Sequence, residues 1–144
     1  RIQRLAHQAI PSEAAELDHA DVVIGVGMGL GDKARIADLT PLADVLGASF
    51  CATRDVTDAE WLARQYQVGL TGRAIRPKLY IGVGIRGAFE HMVGLQQAGI
   101  LVGINSNARA PLFKQVDYGI VGDYTKVVTA LHTHLQTHRT RIES

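Results

Sequence analysis

The sequence predicts an α/β fold: a doubly wound parallel sheet of about five or six strands with helices on both faces. Three observations lead there. From Asp21 onward, short apolar runs rich in β-branched residues alternate with helix-period segments; each run is apolar at nearly every position; and glycines gather where the runs end. A strand that is apolar on both sides of its pleat needs cover on both sheet faces, which parallel strands joined by crossover helices provide.

Residues 1–20 show no strand pattern and form a linker or lead-in, in which Ser12 is placed to cap a short helix. The first strand is Val22 to Val26, and its exit is glycine-rich through Gly31. A helix over Ala34 to Leu46 follows, with Gly47 as its stop, then a strand over Ser49 to Ala52 and a helix over Asp58 to Gln65. Gln67 to Lys78 has no clear period, and a long irregular segment at such a place is often functional. The third strand is Leu79 to Val83 and the fourth Ile100 to Ile104, separated by a helix over Ala88 to Gln97 that Gly99 ends. The fifth is Tyr118 to Val121, before a helix over Tyr124 to Thr137 with Asp123 as its cap and a stripe of Val127, Val128, Leu131 and Leu135. No internal repeat is found, so one folded domain is expected over 21–138, with a C-terminal tail over 139–144.

Composition narrows the function classes. At 144 residues and 47% hydrophobic content the chain fills one core. Fifteen Lys plus Arg against fourteen Asp plus Glu leave a formal charge of +1, without the basic field that nucleic-acid binding uses. No apolar run approaches the roughly 20 residues of a membrane span, so no membrane insertion is expected. The single cysteine, Cys51, forms no internal disulfide, and a reducing cytoplasmic location is expected. The chain begins at Arg1 without a methionine and is expected to be a piece of a longer protein.

The third strand runs into Gly82-Val83-Gly84-Ile85-Arg86-Gly87 and then into a helix. A G-x-G-x-x-G turn between strand and helix gives a Rossmann-like fingerprint: backbone can approach a diphosphate closely, and unpaired N–H groups face it. Tight helix-to-strand packing is the alternative reading of the same glycines. With strand order 2-1-3-4-5, the first and third strands are neighbours whose helices diverge, and Gly25 to Gly31 and Gly82 to Gly87 border one crevice. Thr53, Arg54, Asn105 and Asp123 gather on the same rim, with Asn105 lying 18 residues beyond Gly87. Asn105 is able to bond a hydroxyl or a base edge, although turn-forming and capping account for each of these residues singly. His91 sits one helical turn after Gly87. His134 and His138 share one helix face with no third ligand near, and Cys51 lies within a strand as an inert core residue. No nucleophile-base pair or carboxylate pair stands out, so hydrolysis is unsupported.

Three stretches are specific enough to identify a family. Gln67-Val68-Gly69-Leu70-Thr71-Gly72, the run from Pro77 to His91, and Ile104-Asn105 with Ala110 to Phe113 and Asp117 to Asp123 resemble the C-terminal FAD-binding domain of the electron transfer flavoprotein alpha subunit. The resemblance spans about Ala20 to Leu135 and implies bound FAD, a beta-subunit partner in a heterodimer, dehydrogenase donors, and a quinone reductase or other acceptor. It implies an electron carrier rather than a catalyst of substrate chemistry, in the cytoplasm or, in a eukaryote, the mitochondrial matrix. By position, Thr53 and Arg54 match residues beside the flavin, and Thr71, with Val68, Gly69 and Leu70, matches the segment near its reactive nitrogen. Gly84, Arg86, Gly87, Ala88, Phe89 and Glu90 match the diphosphate loop and its flank, His91 a histidine near a ring carbonyl, and Asn105, Asp123 and Tyr124 adenosine-side positions. Three residues depart from the family: Met28 replaces an arginine, Leu70 a glutamine and Arg86 a serine. The competing reading is an AMP-like nucleotide-binding or partner-binding module of the same fold without redox activity. An NAD-dependent enzyme is disfavoured because no catalytic acid, base or nucleophile can be assigned.

Overall fold

The computed structural model describes residues 16–143, and the side chains of 139–143 are not described. Five parallel strands form one sheet in the order β2-β1-β3-β4-β5. They are β1 (Val22–Val26), β2 (Ser49–Ala52), β3 (Leu79–Val83), β4 (Ile100–Asn105) and β5 (Tyr118–Val121). The expected strands and crevice geometry are therefore present, with β4 one residue longer. The sheet register aligns Gly25 with Gly82 and Gly82 with Gly103, so a column of residues without side chains crosses the middle of the sheet.

The two faces carry separate apolar clusters, as alternation along each strand requires. Ile24, Val26, Ile81, Val83 and Ile104 pack on one face with Leu39 and Leu42, and with Val128 from the last helix. Val23, Cys51 and Tyr80 pack on the other with Met92, Leu95 and Leu112. Leu17 is buried in this second cluster, and Asp18 pairs with Arg73 at 2.7 Å, so the expected lead-in packs on the domain from residue 16 onward. The cap expected at Ser12 lies outside the described residues.

The helices between the strands are shorter and more broken than expected. Ala34 to Leu46 splits into a 3-10 helix, Lys33–Leu39, and α1, Thr40–Leu46. Pro41 causes the break, because it lacks the N–H that would continue the preceding helix but suits the first turn of a new one. Gly47 ends α1 in the left-handed conformation, at φ 63°. The helix expected over Asp58 to Gln65 is displaced: α2 spans Arg54–Asp58, directly after β2, and a 3-10 turn covers Arg64–Tyr66. Trp61 and Leu62 still meet the core, but from the intervening turn. Helix α3 covers only Phe89–Met92 before a 3-10 turn at Val93–Leu95. The last helix, α4, runs over Tyr124–Glu143, through the expected tail.

Candidate functional site

The strand order brings the exits of β1, β2, β3 and β4 to one edge. There they enclose a cleft of about 460 Å³. Two hydrogen bonds hold the exits of β1 and β3 together: Gly27 N–H donates to the Val83 carbonyl at 3.0 Å, and Gly29 N–H to that of Gly84 at 2.9 Å. Gly25, expected beside the crevice, serves the sheet interior instead. A Cβ there would meet the Tyr80 hydroxyl and ring, so its absence admits the phenol under the cleft floor.

Of the residues singled out in the sequence, Thr53, Arg54, Val68, Gly69, Leu70, Thr71, Gly84, Arg86, Gly87, Ala88, Glu90, His91 and Asn105 line this cleft. Phe89, Asp123 and Tyr124 do not. Phe89 is turned out to solvent, and Asp123 caps α4 by accepting from the Thr125 N–H and hydroxyl at 2.9 and 2.7 Å. Tyr124 packs into the core, donates to Asp38 Oδ2 at 3.1 Å, and carries the Arg35 guanidinium over its ring. The three departures fall at the cleft: Met28 and Leu70 line it with 43% and 62% exposure, and Arg86 is exposed on its wall.

The loop after β3 shows how the cleft could hold an anion. Asn105 Nδ2 donates to the Ile85 carbonyl at 2.9 Å, Leu112 N–H to that of Arg86 at 2.9 Å, and Gln115 Nε2 to that of Gly87 at 2.9 Å. In a planar trans peptide the N–H points opposite its carbonyl. Tying three successive carbonyls into the protein therefore aims the N–H groups of Arg86, Gly87 and Ala88 away from it. Among the described residues none of those N–H groups has an acceptor, although Gly87 is buried. Successive unpartnered backbone donors can bind anions. Asn105 thus shapes the loop: its Oδ1 accepts from the Asn107 N–H at 2.8 Å, so both ends of its amide are used within the protein. Gln115 was not singled out in the sequence, because it acts on a loop 28 residues earlier.

The opposite wall is polar. Arg54 Nε lies 3.6 Å from Asp58 Oδ2, and Arg64 Nη2 reaches Asp58 Oδ1 at 2.8 Å, so one carboxylate is shared by two arginines. The segment after Gln67 is anchored at both ends: Val68 N–H bonds the Ala52 carbonyl at 3.0 Å, and Leu70 N–H that of Glu90 at 2.6 Å.

His91 is 4% exposed, with Nδ1 2.9 Å from the Val68 carbonyl and Nε2 2.7 Å from the Tyr80 hydroxyl. A carbonyl only accepts, so Nδ1 carries the proton and Nε2 of the neutral ring accepts from Tyr80. Both nitrogens are then engaged inside the protein. Burial pushes the His91 pKa down to about 4, against the bond to Val68, which raises it. Its folded pKa lies below the unfolded value of ~6.5, so its contribution is fully present above that value and falls away toward pH 4 as the unfolded chain alone takes up the proton. Between pH 7.5 and 5.0 this should cost about 1–2 kcal/mol of stability, and His91→Gln should flatten that decline in urea unfolding. An identical decline in parent and variant would remove His91 as its source.

Comparisons with known proteins show the family. The family model described as "Electron transfer flavoprotein FAD-binding domain" matches residues 16–96, more than half of the chain. The chain belongs to that family. The electron transfer flavoprotein subunit alpha of Thermoanaerobacterium thermosaccharolyticum is 43% identical over 131 residues, which are 91% of this chain and 39% of that protein. The subunit of the same name from Paracoccus denitrificans is 40% identical over 127 residues, 88% of this chain and 41% of that one. Protein FixB of Escherichia coli is 40% identical over 131 residues, covering 90% and 42%. The chain therefore spans about two fifths of the length of the curated relatives it matches.

The cofactor of this family is FAD, and the residues present fit it. A diphosphate would satisfy the orphaned N–H groups of Arg86, Gly87 and Ala88, and Arg86 is itself exposed at the same cleft. The polar wall formed by Thr53, Arg54 and Thr71 offers hydroxyl and cationic groups to the heteroatoms of a flavin ring.

Proposed function

We propose that this domain holds FAD across the carboxyl edge of its sheet and serves as the cofactor-carrying part of an electron carrier. The observation that supports this best is that Asn105, Leu112 and Gln115 hold three successive carbonyls, leaving the N–H groups of Arg86, Gly87 and Ala88, which line the cleft, without an acceptor among the described residues. The diphosphate would lie on Arg86 to Ala88, and the ring against the wall that holds Arg54 and Thr71. FAD supplies reversible uptake of one or two electrons. The chain supplies binding, orientation and a fixed charge.

The names of the relatives support a further subunit, and in this reading a beta subunit completes the carrier while dehydrogenases donate electrons to it. A quinone reductase or another acceptor would receive them. Among the described residues no helix is long and apolar enough to cross a membrane.

Arg54 gives the redox reading its test. A cation beside a ring that gains negative charge on reduction stabilises the reduced form more than the oxidised one. Asp58 neutralises Arg54 only in part, because it also serves Arg64. In the FAD-loaded protein, Arg54→Ala should lower the reduction potential by tens of millivolts, on the order of ~1 kcal/mol at this exposed position. An unchanged or higher potential in a redox titration would count against this role.

A further inference from the structure

We propose that Gln67 is a positioning residue that fixes the Thr71 hydroxyl as a hydrogen-bond donor into the cleft. The inference rests on reading the cleft as the FAD site. Gln67 is 2% exposed, with its amide held at both ends. Thr57 Oγ1 and Arg64 Nη1 reach Oε1 at 2.6 and 3.1 Å, and Nε2 lies 2.7 Å from Thr71 Oγ1.

The orientation of this amide follows from chemistry. A guanidinium has donors only, so the amide end that faces Arg64 is the carbonyl oxygen. The other end is the NH2 group, which also only donates. Thr71 Oγ1 therefore accepts from Gln67, and its one proton is left for another acceptor. Among the described residues that hydroxyl has no second protein partner, and Thr71 is exposed on the cleft wall.

A hydroxyl held as a donor selects its ligand. The oxidised flavin ring presents acceptors at both carbonyl oxygens and at two unprotonated ring nitrogens, and a donor at a single N–H. A fixed donor therefore suits most of its polar edge. Rotation of the Gln67 amide would make Thr71 donate to Gln67 and leave it only an acceptor toward the cleft, but it would also set the NH2 group against the Arg64 guanidinium. Arg64 thus acts on the cleft through two residues without touching it.

Gln67→Glu tests this, since the carboxylate still accepts from Thr57 and Arg64 while Thr71 must now donate to it. FAD affinity is measured by titrating the full apoprotein in the parent, Thr71→Ser and Thr71→Val backgrounds. The hydroxyl-dependent share of the loss should be roughly three- to tenfold, the worth of one hydrogen bond. It should appear in the parent and Thr71→Ser backgrounds and vanish in Thr71→Val, where any effect of the added charge remains. Arg64→Met, at an exposed side chain, lifts the bar to amide rotation and should weaken binding with the same dependence on the hydroxyl. Equal losses in all three backgrounds, for either change, would overturn the proposal while leaving the FAD reading intact. A parent protein that takes up no FAD would overturn both.

Discussion

Gly87→Ala is expected to lower the unfolding free energy by about 3–5 kcal/mol and to remove most FAD binding. Two costs combine. Gly87 has φ +89°, a conformation that L side chains rarely adopt, and a Cβ there would meet the backbone N and Cα of Leu112. Neither side can step aside easily, because the Leu112 N–H holds the Arg86 carbonyl and Gln115 holds that of Gly87. Any relaxation therefore turns the peptide planes that aim the N–H groups of Arg86 to Ala88. Gly31→Ala is the matched control: φ is +92°, but nothing lies within 4 Å of its Cβ position. It should show only the conformational cost, about 1–2 kcal/mol. Chemical denaturation of the two variants checks the account, and equal losses would show that the contact with Leu112 does not matter.

Arg86→Ser is expected to weaken FAD binding ten- to a hundredfold. Arg86 lines the cleft beside the orphaned N–H groups, and among the described residues it takes part in no ion pair. A guanidinium on a phosphate is a charge-assisted contact worth ~1.5–3 kcal/mol, and two parallel bonds give it direction. Met28, where the resemblance implies an arginine, also lines the cleft. In this reading Arg86 supplies the charge that the resemblance implies at position 28. Adding Met28→Arg to Arg86→Ser should therefore restore part of the lost affinity, measured by FAD titration of the apoprotein. Tight binding by the single variant would refute the exchange.

The strands and their order were legible because strands buried on both faces are apolar at nearly every residue, and β1, β2, β3 and β5 have the expected bounds. The helices were less legible. Their apolar residues keep a helical spacing, but Pro41 and the turn around Trp61 divide the segments, and packing on the sheet holds short pieces in place. In the site, residue type and position revealed most of the cleft wall, since Gly84, Gly87, Thr53 and Arg54 follow strands directly. Direction was not legible. Which way the loop amides point depends on Asn105 and Gln115, 20 and 28 residues from the carbonyls they hold, and His91 is turned inward by Tyr80 and Val68. Gln67 gave no sign either, because its role comes from Arg64 and Thr57 on one side and Thr71 on the other. Asp123 and Tyr124, which the resemblance put on the adenosine side, cap and pack the start of α4, a local role that residue type alone also suggests.

In the proposed reading FAD lies on the amides of Arg86, Gly87 and Ala88. Hydrogen exchange of the full protein with and without FAD tests it most directly, because those N–H groups have no acceptor among the described residues and should exchange readily without the cofactor. Addition of FAD should slow exchange at Arg86 to Ala88. Uptake of FAD with no change there, or with protection confined to the opposite edge of the sheet, would contradict the account.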